Sequence, residues 1–321
     1  MDRPVLKLGS RGSLLATTQA RQIIALLQPF LAGRKIELVI ITTSGDKTTD
    51  APLAQSGGKG LFIKEIETEL LAGRIDLAVH SAKDMPTDIP HGLVIAATPP
   101  RQPPNDVWIG HAGLALADLP SGAVVGTSSP RRQAQVLARR ADIQVRPLRG
   151  NIDTRLKKVR DGAVAGTLLA QAGLIRADLL PPEGRILPCD EFIPAAGQGT
   201  LVIEARWDDA LVCTLAKAIH DRATFAALDF ERTLVRALAG HCMAPIGVCA
   251  QPRGIVEGVA QPGWIVRAMV ATSDARLIAR GTLLTEKPSA AGLNAMLKPL
   301  LEMLQSRGSD EILAHIAAQS G

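Results

Sequence analysis

The sequence predicts an α/β protein: two α/β domains followed by a smaller α+β C-terminal domain. Three observations carry that prediction. Short β-branched runs alternate with helical stretches through the first two hundred or so residues, as in βαβ units. A stiff proline segment, Pro99-Pro100-Arg101-Gln102-Pro103-Pro104, interrupts the alternation where a crossing between domains belongs. From Phe225 onward the pattern changes to a helix, then alternating strands, then two more helices. The expected boundaries are residues 1–99 with 200–217 for the first domain, 105–195 for the second and 222–321 for the third.

In the first domain, residues 5–8 read as a short apolar strand, 9–13 as a turn and 14–30 as a helix with apolar residues at helical spacing. Residues 36–41 are a β-branched strand. Residues 42–60 are rich in Thr, Ser, Gly and Asp and end in Gly57-Gly58-Lys59-Gly60. A loop of that length is usually a functional lid or a disordered segment. Residues 61–71 read as a helix, 75–79 as a strand, 80–86 as the loop after it and 93–97 as another strand, the pattern of a mostly parallel sheet.

In the second domain, residues 124–126 end a strand, Thr127-Ser128-Ser129 turn, and Pro130 suits a first helical position. That helix continues over 133–140. Residues 143–148 are a strand, and Asn151 is the expected N-cap of the next helix. Residues 167–170 form a buried strand, and the region of Pro181 and Pro182 is a loop. After Gly197-Gln198-Gly199, residues 200–205 are a strand expected to re-enter the first sheet, which makes two crossings between domains.

In the third domain a helix carrying Leu234 and Leu238 stops at Gly240, and Pro245 prevents it from resuming. Cys242 is therefore expected on a turn where its thiol can be reached, against the alternative, favoured for a lone cysteine on the residues alone, of a small buried hydrophobe. Residues 264–272 and 277–284 alternate enough to be antiparallel strands, and 290–304 and 310–318 are amphipathic helices.

Composition narrows the function. With 321 residues and 46% apolar content, packed cores for several domains are within reach. No apolar run approaches the roughly 20 residues of a membrane span. The N-terminus, Met-Asp-Arg-Pro-Val-Leu-Lys, lacks a signal-peptide apolar region, so a cytoplasmic location is expected. Four scattered cysteines make no disulfide framework, and neither they nor the histidines show metal-ligand spacing, so no metal is expected. The net charge of +5 hides an asymmetry: residues 131–160 hold eight Arg and two Lys against Asp142 and Asp153. Guanidinium forks suit carboxylates and phosphates. Nucleic acid is disfavoured because aromatic residues are only 2% of the chain, with no Tyr, which leaves little for base stacking.

Several loops share one design. Each follows a strand, carries Gly, Ser or Thr, and places a cation beside a helix start: Arg11 with Ser13, Lys59, Ser81 with Lys83, Thr127 through Arg132, and Arg149 through Arg155. Ligands of open α/β sheets bind outside the carboxyl ends of strands, where helix N-termini add free N–H groups. Lys59 in its glycine setting is similar to a phosphate loop, but the Walker spacing is absent, which rejects an ATPase. No Gly-x-Ser-x-Gly elbow supports hydrolysis. Asp84 is the misfit, an acid among groups suited to anions. A unit-charge pair 4 Å apart is worth about 4 kcal/mol at an effective dielectric near 20. Asp84 therefore either pairs with Lys83 or an arginine, or serves a cation formed during reaction.

Six stretches together resemble the porphobilinogen deaminase (hydroxymethylbilane synthase) family over essentially the whole chain. They are Gly57-Gly58-Lys59-Gly60-Leu61-Phe62, Ala78-Val79-His80-Ser81-Ala82-Lys83-Asp84-Met85-Pro86, Gly126-Thr127-Ser128-Ser129-Pro130-Arg131-Arg132-Gln133, Arg149-Gly150-Asn151-Ile152-Asp153-Thr154-Arg155-Leu156, Ala196-Gly197-Gln198-Gly199 and the Cys242 segment. The resemblance implies two domains like those of periplasmic binding proteins and a third carrying Cys242. It implies a cytoplasmic, monomeric enzyme that joins four porphobilinogen molecules head to tail with loss of ammonia. The growing chain stands on a dipyrromethane cofactor held by a thioether to Cys242, and hydroxymethylbilane is released. The acid matching the family's catalytic carboxylate is Asp84, which faces a pyrrole nitrogen. Arg11, Lys83, Arg131, Arg132, Arg149, Arg155 and Arg176 are implied partners of the acetate and propionate groups. Ser13, Ser81, Thr127, Ser128, Ser129, Gly150 and Gln198 are implied neutral contacts, and Lys59 lies on the loop over the cleft. No nucleic acid and no membrane are implied.

The chain departs from the family pattern at His241 and Ala244 beside the cysteine, at Val164-Ala165-Gly166, and at Pro103-Pro104-Asn105-Asp106. Two other classes remain as alternatives on the residues alone: a two-lobed anion-binding module without chemistry, and a nucleic-acid binder using the arginine cluster, whose affinity would fall steeply with salt.

Overall fold

A computed structural model describes residues 3–43, 63–238, 244–256, 259–260, 263–285 and 292–320. The chain divides into two compact units, Met1–Gln102 with Gly199–Phe225, and Pro103–Gln198 with Ala226–Gly321. Among the described residues no helix is long and apolar enough to cross a membrane.

The first unit is built on β1 (Val5–Ser10), β2 (Lys35–Ile40), β3 (Leu77–Ser81), β4 (Leu93–Ala97) and β10 (Leu201–Arg206), in the sheet order β2-β1-β3-β10-β4. Helices α1 (Leu14–Leu27), α2 (Lys64–Leu71) and α6 (Ala210–Lys217) pack on it. Residues 200–205 thus do return to the first sheet. The sheet is mixed rather than mostly parallel: β1 runs parallel to β2 and β3, but β10 is antiparallel to both β3 and β4. A strand arriving from the far end of another segment has no helical crossover to set its direction, and the alternation pattern does not reveal this. Leu6, Leu8, Leu77, Val79, Leu201 and Ile203 form one core, while Ala78 joins Ile66, Leu70 and Ile75 in another. That separation follows from the two-residue period of strands.

The second unit contains β5 (Asp106–Gly110), β6 (Val124–Gly126), β7 (Gln144–Arg146), β8 (Gly166–Ala170) and β9 (Arg185–Leu187), in the order β7-β6-β8-β5-β9. Here too β6 is parallel to β7 and β8, and β5 is antiparallel to β8 and β9. Val107, Ile109 and Leu169 enter one core, and Trp108, Leu168 and Val125 another, again at a period of two. Helices α3 (Pro130–Leu137), α4 (Ile152–Arg160) and α5 (Gln171–Arg176) follow β6, β7 and β8 in turn. Pro130 is the first helical residue, as expected. Asn151 sits at the N-cap position of α4, but its side chain makes no capping bond. β7 is only three residues long, shorter than the expected 143–148.

The same unit holds α7 (Arg222–Ala237) from Ala226 onward, and the antiparallel sheet of β11 (Ile246–Pro252), β14 (Trp264–Ala271) and β15 (Ile278–Thr285). The short pair β12 (Ile255–Val256) and β13 (Val259–Ala260) lies between β11 and β14 in sequence. Helices α8 (Gly292–Gln305) and α9 (Ser309–Ser320) cover this sheet, and Phe230, Leu234, Val266, Leu297 and Leu300 fill the core between. A smaller apolar cluster, Ala134, Cys189, Ile193, Cys249 and Met269, joins α3 and the segment after β9 to the antiparallel sheet. His220 lies just past α6, where Thr98 N–H donates to its Nδ1 at 3.3 Å.

Candidate functional site

In each unit the predicted residues leave the carboxyl ends of adjacent parallel strands. In the first, β1 and β3 are parallel neighbours, so the loops at Arg11 and at Ser81 emerge from one sheet edge. Ser13 caps α1, its side chain accepting from Ala16 N–H at 3.3 Å, and its hydroxyl is thereby fixed at the helix start. Ser81 ends β3. Lys83 and Asp84 occupy a single 3₁₀ turn, Ala82–Asp84, held down by buried Ala82, whose N–H donates to Thr200 O at 3.0 Å. Arg11, Ser81 and Lys83 are half-buried. Asp84 is exposed and forms no ion pair among the described residues. Of the two readings of this acid, the pairing with Lys83 or an arginine is absent there.

The strand before that turn carries a buried pair that no local signal marks. His80 Nε2 and Glu204 Oε2 are 3.0 Å apart and both are buried. Glu67, on α2, is pushed above the usual carboxylate range by burial and by the Glu204 charge, with His80 opposing.

In the second unit β7, β6 and β8 run parallel, so the loops holding Thr127 to Arg132, Arg149 to Arg155, and α5 with Arg176 share an edge. β5 is antiparallel to β8 and pairs Asp106 with Ala170, which brings Asp106, its first residue, to that same edge. Asp106 is 0% exposed and organises the predicted residues around it. Arg132 donates to its Oδ1 from Nη2 at 2.7 Å and from Nε at 3.1 Å. Arg131 Nη1 lies 2.8 Å from Oδ2 and also donates to Ile193 O at 2.7 Å. Gln198 Nε2 donates to Oδ1 at 3.1 Å and to Pro104 O at 2.7 Å. Burial would raise the Asp106 carboxyl, but the Arg131 and Arg132 charges overcome it and hold the group well below the usual range. Thus Arg131, Arg132 and Gln198, all expected to meet ligand, first meet one internal carboxylate.

The remaining predicted residues of this unit do not bond to Asp106. Ser129 caps α3, accepting from Arg132 N–H, and Thr127 Oγ1 accepts from Ser129 N–H at 3.2 Å. Ser128 Oγ donates to Leu148 O at 3.1 Å. Gly150 has φ +113, and an added Cβ would meet the Thr154 side chain at 2.8 Å, so only glycine fits. Arg155 Nε donates to Gly150 O at 2.8 Å. Burial and the Arg132 charge push Arg155 down to about 10, and burial alone pushes Arg176 to about 10. Both stay cationic at neutral pH. Arg149 is half-buried. Buried Glu231 on α7 accepts from Gly197 N–H at 2.5 Å and from Ala250 N–H at 2.8 Å, fixing the loop that carries Gln198.

Asp106, Glu231 and His80 with Glu204 are the functional-edge residues the sequence did not reveal. Asp106 had one legible signal: an acid opening the apolar run Val107-Trp108-Ile109 requires a buried cation. Lys59 and Cys242 lie outside the described residues, as do most of 42–60 and His241. Among the described residues no cluster of His, Cys, Asp and Glu could hold a metal ion.

Residues 6–214 match the family model described as porphobilinogen deaminase, dipyromethane cofactor binding domain. The porphobilinogen deaminase of Moorella thermoacetica is 44% identical over 320 residues, covering 98% of each chain. That of Syntrophus aciditrophicus is 40% identical over 311 residues, covering 97% of this chain and 98% of its own. Solved structures with a similar layout include the aliphatic sulphonate binding protein SsuA from Escherichia coli, with 19% identity, TM-score 0.40, and 74% and 71% of the two chains covered. The methionine binding protein MetQ matches with 13% identity and TM-score 0.44, covering 70% of this chain and 93% of its own. The fold assignment rests on this chain's own sheets.

Proposed function

The chain belongs to the porphobilinogen deaminase family, and from that membership we infer that it is a hydroxymethylbilane synthase. It polymerises four porphobilinogen molecules head to tail with loss of ammonia and releases hydroxymethylbilane for tetrapyrrole biosynthesis. The observation that carries the catalytic reading is Asp84: an exposed carboxylate on a pinned turn at a strand end, with no ion pair among the described residues.

The residues present fit a covalent dipyrromethane with carboxylate side chains. Arg155 has the Gly150 carbonyl oxygen as its described hydrogen-bond acceptor, and its cation is disfavoured by burial and by Arg132. A ligand carboxylate relieves both penalties. When bound, the cofactor supplies the pyrrole carbon on which the chain is extended. Cys242 is the attachment point. Arg149, Arg155 and Arg176 hold carboxylates in the second unit, with Arg131 and Arg132 contributing the guanidinium donors that Asp106 leaves free; Arg11, Lys83, Ser13 and Ser81 do so in the first. Thr127, Ser128, Ser129, Gly150 and Gln198 orient the rings, and Lys59 is a further cationic contact. Asp84 accepts a hydrogen bond from a substrate pyrrole N–H and stabilises the positive charge that develops there as ammonia departs. We further propose three domains with the boundaries expected from the sequence, a monomer, and a cytoplasmic location.

Intact mass tests the covalent reading. Wild type should weigh more than its sequence by one dipyrromethane, and Cys242→Ala should weigh its sequence alone. A bare wild-type chain that still turns over porphobilinogen would overturn it.

A further inference from the structure

β10 enters the first sheet between β3 and β4, and neither neighbour is close to it in sequence. No tight turn therefore sets its register. Pairing with β4 is broken by a register shift between Ile203 and Glu204. Pairing with β3 is regular over five residues, with Leu201 opposite Ser81, Val202 opposite His80 and Glu204 opposite Ala78. Ala78, His80, Val202 and Glu204 thus share one face of the sheet. Helix α2 packs against that sheet, where Ala78 clusters with Ile66, Leu70, Ile75 and Leu93.

His80 and Glu204 are the misfits in this apolar layer. His80 Nε2 and Glu204 Oε2 stand 3.0 Å apart, with side chains 3% and 0% exposed. The pair is a poor stabiliser. Glu204 Oε1 is buried with no hydrogen-bond partner among the described residues, and a buried ion pair with an unsatisfied oxygen does not repay its desolvation. Glu67 of α2 also lies within reach of the Glu204 charge and is raised by it, after burial. Apolar residues of similar size would be at least as stable here. The pair has what apolar residues lack, a fixed partner: it joins one residue of β3 to one residue of β10, diagonally across the ladder. It also sits at the register shift, an irregularity of the kind that re-aims side chains near active sites.

The register of β10 decides where Thr200 lies, because Thr200 directly precedes the strand. Thr200 O accepts from Ala82 N–H at 3.0 Å, and Ala82 begins the turn that carries Lys83 and Asp84. A slip of one residue would carry that oxygen about 3.3 Å along the strand and unpin the turn. We propose that His80 and Glu204 are positioning residues: their buried contact locks β10 in register on β3, keeps Thr200 O on Ala82 N–H, and so holds Asp84 in place for the reaction. The catalytic consequence rests on the role proposed for Asp84; the register lock does not.

The test replaces both partners at once, His80→Leu with Glu204→Met, in the cofactor-loaded enzyme. Beside it stands Glu204→Gln, whose amide oxygen still accepts from an imidazole N–H. Each variant is measured by thermal unfolding, by amide hydrogen exchange at Ala82, and by turnover of porphobilinogen at a temperature where it is folded. The paired replacement should melt within about 2 °C of wild type or above it. Its Ala82 amide should nevertheless exchange roughly tenfold faster or more, and its kcat should fall about 10–100-fold. Glu204→Gln should bring both back to within about threefold of wild type. In an Asp84→Ala background the paired replacement should lower kcat by less than about threefold, whereas a purely structural pair would lower it equally in both backgrounds. If the paired variant fails to fold, Glu204→Ala takes its place against Glu204→Gln. Wild-type exchange at Ala82 without the pair, or a kcat loss that Glu204→Gln shares in full, would overturn the lock. Wild-type turnover by Asp84→Ala alone would remove the role of Asp84, and the exchange result would still decide the lock.

Discussion

Asp84 and Asp106 are both acids among arginines, and their surroundings give them opposite roles. Asp84 is exposed, with no ion pair among the described residues, so its charge is available to a reacting cation. Asp84→Ala is expected to lower kcat by about 10²–10³-fold, a magnitude typical of losing one electrostatic stabiliser. Asp84→Glu should keep weak turnover. Comparable steady-state rates for Asp84→Ala and wild type would remove that role. Asp106 is spent internally. Its folded value lies below the unfolded value of about 3.9, so the stability it contributes is complete above about pH 4 and is lost as the pH falls through the folded value. Asp106→Asn leaves two buried guanidiniums without their counter-charge and should cost about 3–5 kcal/mol. Chemical denaturation from pH 6 to pH 2 should show a flatter decline for the variant. A wild-type-like midpoint at pH 7 would mean that Arg131 and Arg132 do not depend on Asp106. The pairing also limits what the sequence could say: Arg131, Arg132 and Gln198 were legible as anion partners, but nothing local revealed that one buried carboxylate already engages all three.

At the scale of the element, strand ends and helix starts were read well because their signals are local. Pro130 begins α3 as expected, Ser129 and Ser13 cap α3 and α1, and Asn151, the one expected N-cap, holds its position without a capping bond. Capping and ligand binding now compete as explanations for Ser129, and they separate by substitution. Ser129→Ala should lose about 1 kcal/mol through the missing cap. Ser129→Asp keeps a capping oxygen but adds a charge beside the proposed carboxylate site, so it should melt near wild type while KM for porphobilinogen rises several-fold. Equal KM values for Ser129→Asp and wild type would leave Ser129 a helix cap only. Strand direction was read less well. β5 and β10 are apolar runs like their neighbours, and a run of apolar residues does not encode which way its sheet partner points.

For the whole molecule, the second unit depends on contacts far apart in sequence. Gln135 Nε2 donates to Ile193 O at 3.0 Å while Ile193 N–H donates to Gln135 Oε1 at 2.7 Å, and Ile193 packs with Cys249 and Met269. Glu231 likewise joins Gly197 to Ala250. A chain ending at Phe225 would uncover this apolar cluster and leave the Gln198 loop without its anchor. It is expected to bind a hydrophobic dye and to lose near-ultraviolet circular dichroism attributable to a packed Trp108. A truncated chain with native-like spectra and no dye binding would show that residues 103–198 hold their fold without the antiparallel sheet.

By itself, the sequence determined the alternation of elements, the change of pattern after Phe225 and the arginine-rich loops at strand ends. These follow from periodicity, caps and composition, which act over a few residues. Only the tertiary structure decided that both five-stranded sheets are mixed and that Asp106 unites three predicted contacts. Each of those depends on residues dozens to more than a hundred positions apart. Burial and charge pairing act through space, and spacing along the chain carries no record of them.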